Sequence, residues 1–258
     1  MKEINYCPHC KSDNFRKHGF YRNKRRFLCK NCLKTFSKRN ESVSYYSKKS
    51  DEIWSSYIDL FDEGYSIRLC SKLLKINIKT AFYWRHKILK KIIKENKTDN
   101  IGVNIGIKTY WIKENKKGTK IYSPKRKKHL ICCTKSFTHN ISGKILLDNK
   151  FNLHLARNNF KERFPFHVSN SLIGTDVYSR TIATNINKNL KLELTSDLKM
   201  KVYTELNNVY LSHKGWLKKF KGIATKYYDL YFSWFSCVFE NIYCENFSFN
   251  NILKTLII

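Results

Sequence analysis

Apolar residues recur at helical spacing in residues 50–64. The positions that share one face are Ile53, Trp54, Tyr57, Ile58, Leu60 and Phe61. Spacings of three and four residues place these side chains on one side of a helix, so the pattern predicts an amphipathic helix. Ser50 is a suitable N-cap for this helix, and Gly64 is a suitable residue to end it.

Two further helices are predicted between residues 66 and 95. One begins at Ser66, and the other is capped by Asn77. Three short helices with a tight connection before the third are typical of a helix-turn-helix-like unit. In such a unit the third helix contacts DNA, and its predicted exposed residues are Lys79, Thr80, Tyr83, Arg85 and Lys87. The alternative is a plain helical bundle that links two domains.

A different pattern begins after residue 100. Apolar, β-rich segments cover residues 101–112, 129–137, 141–147 and 171–175. Helical segments cover residues 155–164 and 205–239, the latter broken near Gly222. The segments 191–194 and 198–203 are short and stay unassigned. This order of elements, with an antiparallel meander first, a short buried strand next and helices last, predicts an α/β core of the nuclease type.

Lysine and arginine outnumber aspartate and glutamate by 50 to 20, a formal net charge of +30 over 258 residues. This excess favours a polyanionic partner, and nucleic acid comes first because phosphate contacts supply most non-specific affinity. A generally lysine-rich composition is the alternative explanation. No run of about 18 apolar residues and no signal-peptide core occurs, so we expect a cytoplasmic protein with no membrane partner.

The nine cysteines include two Cys-x-x-Cys pairs, formed by Cys7, Cys10, Cys29 and Cys32. This spacing is typical of a zinc ribbon. Zinc takes four thiolates at tetrahedral corners, and a closed four-ligand site is structural rather than catalytic. Four unrelated thiols or two disulfides are the alternative, although the cysteine usage fits a reducing compartment better.

Basic and aromatic residues alternate between the two cysteine pairs. Residues 1–50 hold fourteen Lys or Arg and three acids. The predicted nucleic-acid contacts of this finger are Arg22, Lys24, Arg25 and Arg26, with Phe20 and Tyr21 beside them. Such a finger suits phosphate contact and local packing. The alternative is a solvated hairpin tip whose charge serves solubility.

Asp176 directly follows the apolar segment 171–175. A carboxylate at the end of a strand is a natural ligand for a hard cation such as Mg²⁺ or Mn²⁺. A two-metal site for phosphoryl transfer also needs a second carboxylate on a neighbouring strand and a third ligand nearby. A strand-end aspartate can equally cap the turn that follows it, so both interpretations stay open here.

The C-terminal run Lys214–Tyr227, with Tyr231, Trp234 and Phe235 after it, carries a specific resemblance. This run, together with the cysteine pairs and the three-helix pattern, resembles the zinc-ribbon-bearing DDE transposases of bacterial insertion sequences. The resemblance extends from Cys7 to Phe235. It implies an RNase H-like core, binding to the terminal repeats of an element, and DNA cutting and joining with a divalent metal.

The resemblance also assigns catalytic positions. Asp176 falls at the second catalytic Asp, and Asn207, or alternatively Glu205, falls at the third. The first position is occupied by Ile107, where the family has an aspartate, and Lys108 stands where the family has a glutamate. An isoleucine cannot ligate a cation, and a lysine beside the site repels divalent ions. We therefore expect strand transfer to be lost or severely weakened.

The sequence thus predicts an α/β multidomain protein that binds DNA, with a homo-oligomer as an open possibility. The predicted parts are a zinc ribbon (1–40), a helix-turn-helix-like unit (48–95), an RNase H-like core with C-terminal helices (101–240) and an unassigned tail (241–258). The alternatives are a non-catalytic DNA-binding regulator and a zinc-ribbon protein that binds RNA.

Overall fold

The computed structural model describes residues 4–21, 24–95, 104–116, 126–136, 141–165, 171–186, 195–220 and 223–243. The chain forms two compact units, residues 1–91 and 92–247, which are described separately. The described residues contain seven α-helices and two β-sheets. None of those helices is both long and apolar enough to cross a membrane. The finer division into four parts stays a prediction.

The first unit begins with a small antiparallel sheet of three strands. These are β1 (Phe15–Tyr21), β2 (Lys24–Cys29) and β3 (Thr35–Phe36), in the order β1-β2-β3. Phe15, Phe27 and Phe36 pack together with ring centroids 5.4–5.7 Å apart. This aromatic group packs on Cys7 and Cys29 to form the core of the sheet.

Three helices complete the first unit, as the apolar periodicity predicts. They are α1 (Asp51–Asp62), α2 (Ile67–Leu73) and α3 (Ile78–Glu95). The Ser66 hydroxyl accepts the Leu69 N–H at 3.2 Å and caps α2. The core between α1 and α3 is centred on Trp54 and Trp84, whose stacked rings lie 3.8 Å apart.

The second unit contains a mixed sheet of four strands. These are β4 (Asn104–Lys113), β5 (Lys128–Ser136), β6 (Ile141–Asp148) and β7 (Ser171–Gly174), in the order β6-β5-β4-β7. The antiparallel pairing of β4, β5 and β6 is the predicted meander. The short strand β7 instead pairs in parallel with β4. A helical crossover after β6 carries the chain back across the sheet, so β7 runs in the same direction as β6 and β4.

Helices cover both faces of this sheet. The helices α4 (Leu153–Arg163) and α5 (Val177–Ile186) cover one face, and α6 (Ser196–Lys218) and α7 (Tyr228–Tyr243) cover the other. Side chains alternate along a strand, so Ile105 and Ile107 of β4 enter the core under α4 and α5. Gly106 faces α6, and a Cβ there would lie 2.6 Å from Val202.

The largest difference from the predicted elements concerns α6. Residues 198–203 form part of this single 23-residue helix instead of a separate segment. The predicted break appears as the end of α6 at Lys218 and a 3₁₀ turn over Thr225–Tyr227. Gly222, the segment 191–194 and the tail after residue 243 lie outside the described residues.

Candidate nucleic-acid interface and metal centres

The four paired cysteines converge on one point. Their Sγ atoms all lie within 4.8 Å of one another. Cys7 Sγ lies 3.7 Å from Cys32 Sγ, and Cys10 Sγ lies 3.5 Å from Cys29 Sγ. Four thiolates about 2.3 Å from a central ion stand about 3.8 Å apart in a tetrahedron. The cluster can therefore hold a structural metal ion such as zinc.

The two cysteine pairs are presented by turns with the same backbone pattern. The Cys7 N–H donates to the Ser12 carbonyl at 2.7 Å, and the Cys29 N–H donates to the Lys34 carbonyl at 3.1 Å. The residues after the second cysteines, Lys11 and Leu33, both adopt left-handed φ angles, 63° and 55°. The backbone N–H of Cys32 stabilises the thiolate of Cys29 and lowers the pKa of that thiol to about 6.

The basic hairpin of β1 and β2 carries the first group of predicted nucleic-acid contacts. Lys24 and Arg25 are exposed, and Arg26 is half-buried. Lys24 Nζ also pairs with Asp51 at the start of α1, at 2.8 Å, and Arg39 contacts the other carboxylate oxygen at 2.9 Å. Arg22 lies outside the described residues. Lys24 is therefore partly neutralised, whereas Arg25 presents its charge to solvent.

Helix α3 carries the second group, and two of its predicted contacts need correction. Lys79 and Tyr83 are exposed and Thr80 is half-buried. Arg85 is only 1% exposed, so its predicted exposure is wrong. Lys87 is half-buried and donates to the Tyr45 carbonyl at 2.6 Å. Burial lowers the pKa of the Lys87 ammonium.

Arg85 is buried because it joins the α1–α2 connection to α3. Its Nη2 donates to the Tyr65 carbonyl and contacts Cys70 Sγ at 3.7 Å. Its guanidinium lies over the Phe61 ring, 5.7 Å from the centroid. The sequence holds a signal for this position, since Arg85 follows Ala81 by four residues and precedes Ile88 by three. It therefore lies on the apolar stripe of α3.

In the second unit, the carboxylate of Asp176 is fully engaged with the protein. It accepts the N–H and hydroxyl of Thr109 at 2.6 and 2.5 Å. It also accepts the N–H and hydroxyl of Ser179 at 3.1 and 2.7 Å. The Asp176 N–H in return donates to the Ser179 hydroxyl at 2.9 Å. A carboxylate offers about four acceptor sites, so these four donors fill them and cap α5.

Ile107, at the first catalytic position of the resemblance, belongs to the apolar core. Its side chain is fully buried among residues of β5, α4 and α5. Its carbonyl accepts the N–H and hydroxyl of Thr175 at 3.0 and 3.1 Å, so its backbone extends the pairing of β4 with β7. At this position the side chain thus packs in the core, and the backbone carbonyl forms hydrogen bonds between β4 and the end of β7.

The structure does not bring the candidates for the third position together with Asp176. Glu205 pairs with Lys135 of β5 at 2.5 Å. Lys135 lies opposite Gly106 in the sheet, on the face that α6 covers. Asp176 binds Thr109, which shares a face with Ile107 under α4 and α5. Glu205 and Asp176 therefore lie on opposite faces of the sheet, and Asn207 belongs to the same helix as Glu205.

The C-terminal run that carries the resemblance forms an aromatic core between α6 and α7. Ring centroids of neighbouring members lie 4.6–6.3 Å apart, and the members are Trp216, Phe220, Tyr231, Trp234 and Phe235. Thr225 joins this core to the end of β4, because its N–H and hydroxyl bond to the backbone of Asn115 at 3.0 and 2.8 Å.

A buried polar group beside this core has no counterpart in the sequence predictions. The Tyr110 hydroxyl lies 3.0 Å from His213 Nδ1 and 3.0 Å from the Tyr228 hydroxyl. Burial lowers the pKa of His213 to about 3, so the imidazole is neutral at physiological pH. This chain of hydrogen bonds connects β4, α6 and α7.

No known protein-family description matches this chain, and no curated protein sequence matches it either. Among solved structures, a chain in the crystal structure of a pre-cleavage Mos1 transpososome is similar. It is 12% identical, and the match covers 78% of this chain and 80% of that chain with a TM-score of 0.23. A TM-score of this size does not establish a shared fold.

Proposed function

We propose that this chain binds duplex DNA through its first unit. The observation that carries the proposal is the exposed basic hairpin of β1 and β2, positioned beside the four-cysteine cluster. Exposed cations that neutralise phosphates release counterions and give sequence-independent affinity. Helix α3 adds Lys79 and Tyr83, which are both exposed. With Arg85 buried, α3 reads bases with fewer side chains than its sequence predicts.

We further propose that the second unit is an RNase H-like core of the transposase type that no longer cuts or joins DNA efficiently. The sheet order β6-β5-β4-β7, in which the β4–β7 pairing is parallel and the other two pairings are antiparallel, suits such a core. Three features support the loss of activity. Ile107 supplies no ligand, the oxygens of Asp176 are occupied by Thr109 and Ser179, and Glu205 lies on the other face. A pair of Mg²⁺ or Mn²⁺ ions would have no set of convergent carboxylates among the described residues.

Binding and cutting are tested in one experiment. The whole protein is incubated with supercoiled plasmid carrying inverted repeats, with Mg²⁺, with Mn²⁺ or with a chelator. We expect a mobility shift that weakens with salt and no nicking above background with either ion. Metal-dependent nicking that co-purifies with the protein would overturn the proposed loss of activity. Absence of any salt-sensitive shift would overturn DNA binding.

The basic hairpin also suits RNA, so a second arm separates the two nucleic acids. Duplex DNA and structured RNA of the same sequence are titrated in parallel at several salt concentrations. Tighter binding to DNA supports the proposal. Tighter binding to RNA at every salt concentration favours the alternative, a zinc-ribbon protein that binds RNA.

A further inference from the structure

Two aromatic side chains are exposed at the end of the β1–β2 hairpin. Phe20 is 60% exposed and Tyr21 is 59% exposed, although both belong to β1. Burying an aromatic ring is favourable, and folding leaves most of this gain unused at these two positions. Successive residues of a strand point to opposite faces, so the two rings lie on the two sides of the hairpin.

A β-bulge determines where Phe20 lies. Lys17 pairs with Phe27 and Phe20 pairs with Arg25, so His18 and Gly19 together oppose one residue of β2. Gly19 adopts a left-handed φ of 66°, which glycine tolerates without strain. Because the bulge adds one residue, Phe20 falls on the face of β2 that carries Arg25 and Phe27. The apolar face of the small sheet thereby continues past its core into solvent.

Arg25 and Phe20 together form a cationic aromatic surface, which we call the platform. Its guanidinium lies over the Phe20 ring, 4.4 Å from the centroid. The ring has a second face, which accounts for its large exposure. The exposed basic residues of the same hairpin are Arg16, Lys17 and Lys24. Aromatic faces beside a basic strand are the combination that holds single-stranded nucleic acid, since bases stack on the ring and cations contact the phosphates.

We propose that the platform of Phe20 and Arg25 stacks on an unpaired base next to the duplex that the first unit binds. Bases inside a duplex are stacked on one another and offer no free face, so the platform selects an unpaired base in an overhang or a bulge. Stacking does not read the identity of the base, so the preference is for structure and not for sequence. This inference rests on the proposed binding to DNA.

The test compares overhangs that differ only in their bases. Fluorescence anisotropy at one salt concentration follows binding of the whole protein to three DNAs: a blunt duplex, the same duplex with an unpaired overhang, and that duplex with an abasic overhang. The abasic overhang keeps the phosphates and removes the stacking faces. We expect about tenfold tighter binding to the base-bearing overhang than to the abasic one.

Substitutions then assign the preference to the platform. Phe20→Ala is expected to abolish the preference for the base-bearing overhang over the abasic one, whereas Phe20→Trp keeps that preference. Tyr46→Ala is the matched control, because Tyr46 is an 87% exposed aromatic residue outside the hairpin. Metal content measured on each variant verifies that the cysteine cluster is intact.

Equal affinity for the two overhangs, or a preference that survives Phe20→Ala, would overturn the inference while duplex binding stands. Failure of all three DNAs to bind would overturn the proposed function together with it. The two failures are therefore distinguishable in one set of titrations.

Discussion

The backbone N–H of Thr109 donates a 2.6 Å hydrogen bond to the carboxylate of Asp176, 67 residues later in the chain. The strand β7 ends at Gly174, and just beyond that end the Asp176 carboxylate accepts the N–H of Thr109 in β4. Together with the two bonds from Ser179, it holds β4, β7 and the start of α5 in one arrangement. The residue that the resemblance assigns to metal binding is thus a structural connection.

We predict that Asp176→Ala destabilises the second unit by about 2–3 kcal/mol. The estimate combines a lost helix cap with the unsatisfied N–H and hydroxyl of Thr109. The measurement is the free energy of unfolding from urea titration followed by circular dichroism. Asp197→Ala is the control, since Asp197 is exposed in the first turn of α6 and its loss should change stability by less than about 0.5 kcal/mol. Equal stability of Asp176→Ala and the parent would contradict the structural role.

An acid at residue 107, the position that the resemblance assigns to the first catalytic Asp, is predicted to unfold the core instead of producing activity. Ile107→Asp places an unpaired carboxylate in a fully buried apolar site, at a cost on the order of 4 kcal/mol. Ile107→Val is the control and should cost only about 1 kcal/mol. Thermal unfolding of the two variants measures the difference. A stable Ile107→Asp protein with magnesium-dependent nicking would contradict the present assignment of this position.

Local patterns account for much of the fold. The spacing of apolar residues predicts α1, and the structure places Trp54, Tyr57, Ile58 and Phe61 on its buried side. Short apolar runs predict the strands of the meander. The geometry of the candidate site depends instead on how distant parts of the chain pack together. Glu205 lies on the opposite face of the sheet from Asp176 because α6 packs on that face. The apolar periodicity within α6 does not indicate which face of the sheet the helix covers. The charge of Arg85 predicts exposure, whereas its place on the apolar stripe of α3 predicts the burial that the structure shows.

The two basic residues of α3 are predicted to behave oppositely on substitution. Arg85→Lys removes the planar guanidinium that donates to the Tyr65 carbonyl and covers Phe61, so it lowers the free energy of unfolding by about 2 kcal/mol. Lys79→Ala leaves stability unchanged, lowers affinity for DNA and reduces the salt slope by about 1. Urea unfolding and salt titration of both variants give the comparison. A stable Arg85→Lys protein with weakened DNA binding would show that Arg85 contacts DNA.

The second unit is predicted to lose stability as pH rises toward neutrality, through Glu240. Burial raises the pKa of this carboxyl from its ordinary value of 4.5 to about 7, although the Ile141 N–H donates to it at 2.8 Å. The folded state therefore binds the proton more tightly than the unfolded state. Its stabilising contribution is present below pH 4.5 and is lost between about pH 4.5 and 7, by up to roughly 3 kcal/mol.

Glu240→Gln provides the comparison for this pH dependence, because glutamine keeps the acceptor for the Ile141 N–H and does not ionise. The difference in unfolding free energy between parent and variant, measured from pH 4 to pH 8, should grow in favour of the variant up to about pH 7 and then level off. A difference that stays constant with pH would show that the carboxyl titrates at its ordinary value.

The salt dependence of duplex DNA binding tests the account most directly. We predict that the logarithm of the association constant of the whole protein falls linearly with the logarithm of salt concentration, with a slope steeper than about −3. Charge removal at Arg25 should make this slope shallower by about 1, and a metal chelator that dismantles the four-cysteine cluster should abolish binding. Binding that is absent, or that is insensitive both to salt and to the loss of Arg25, would contradict the proposal that the first unit holds DNA.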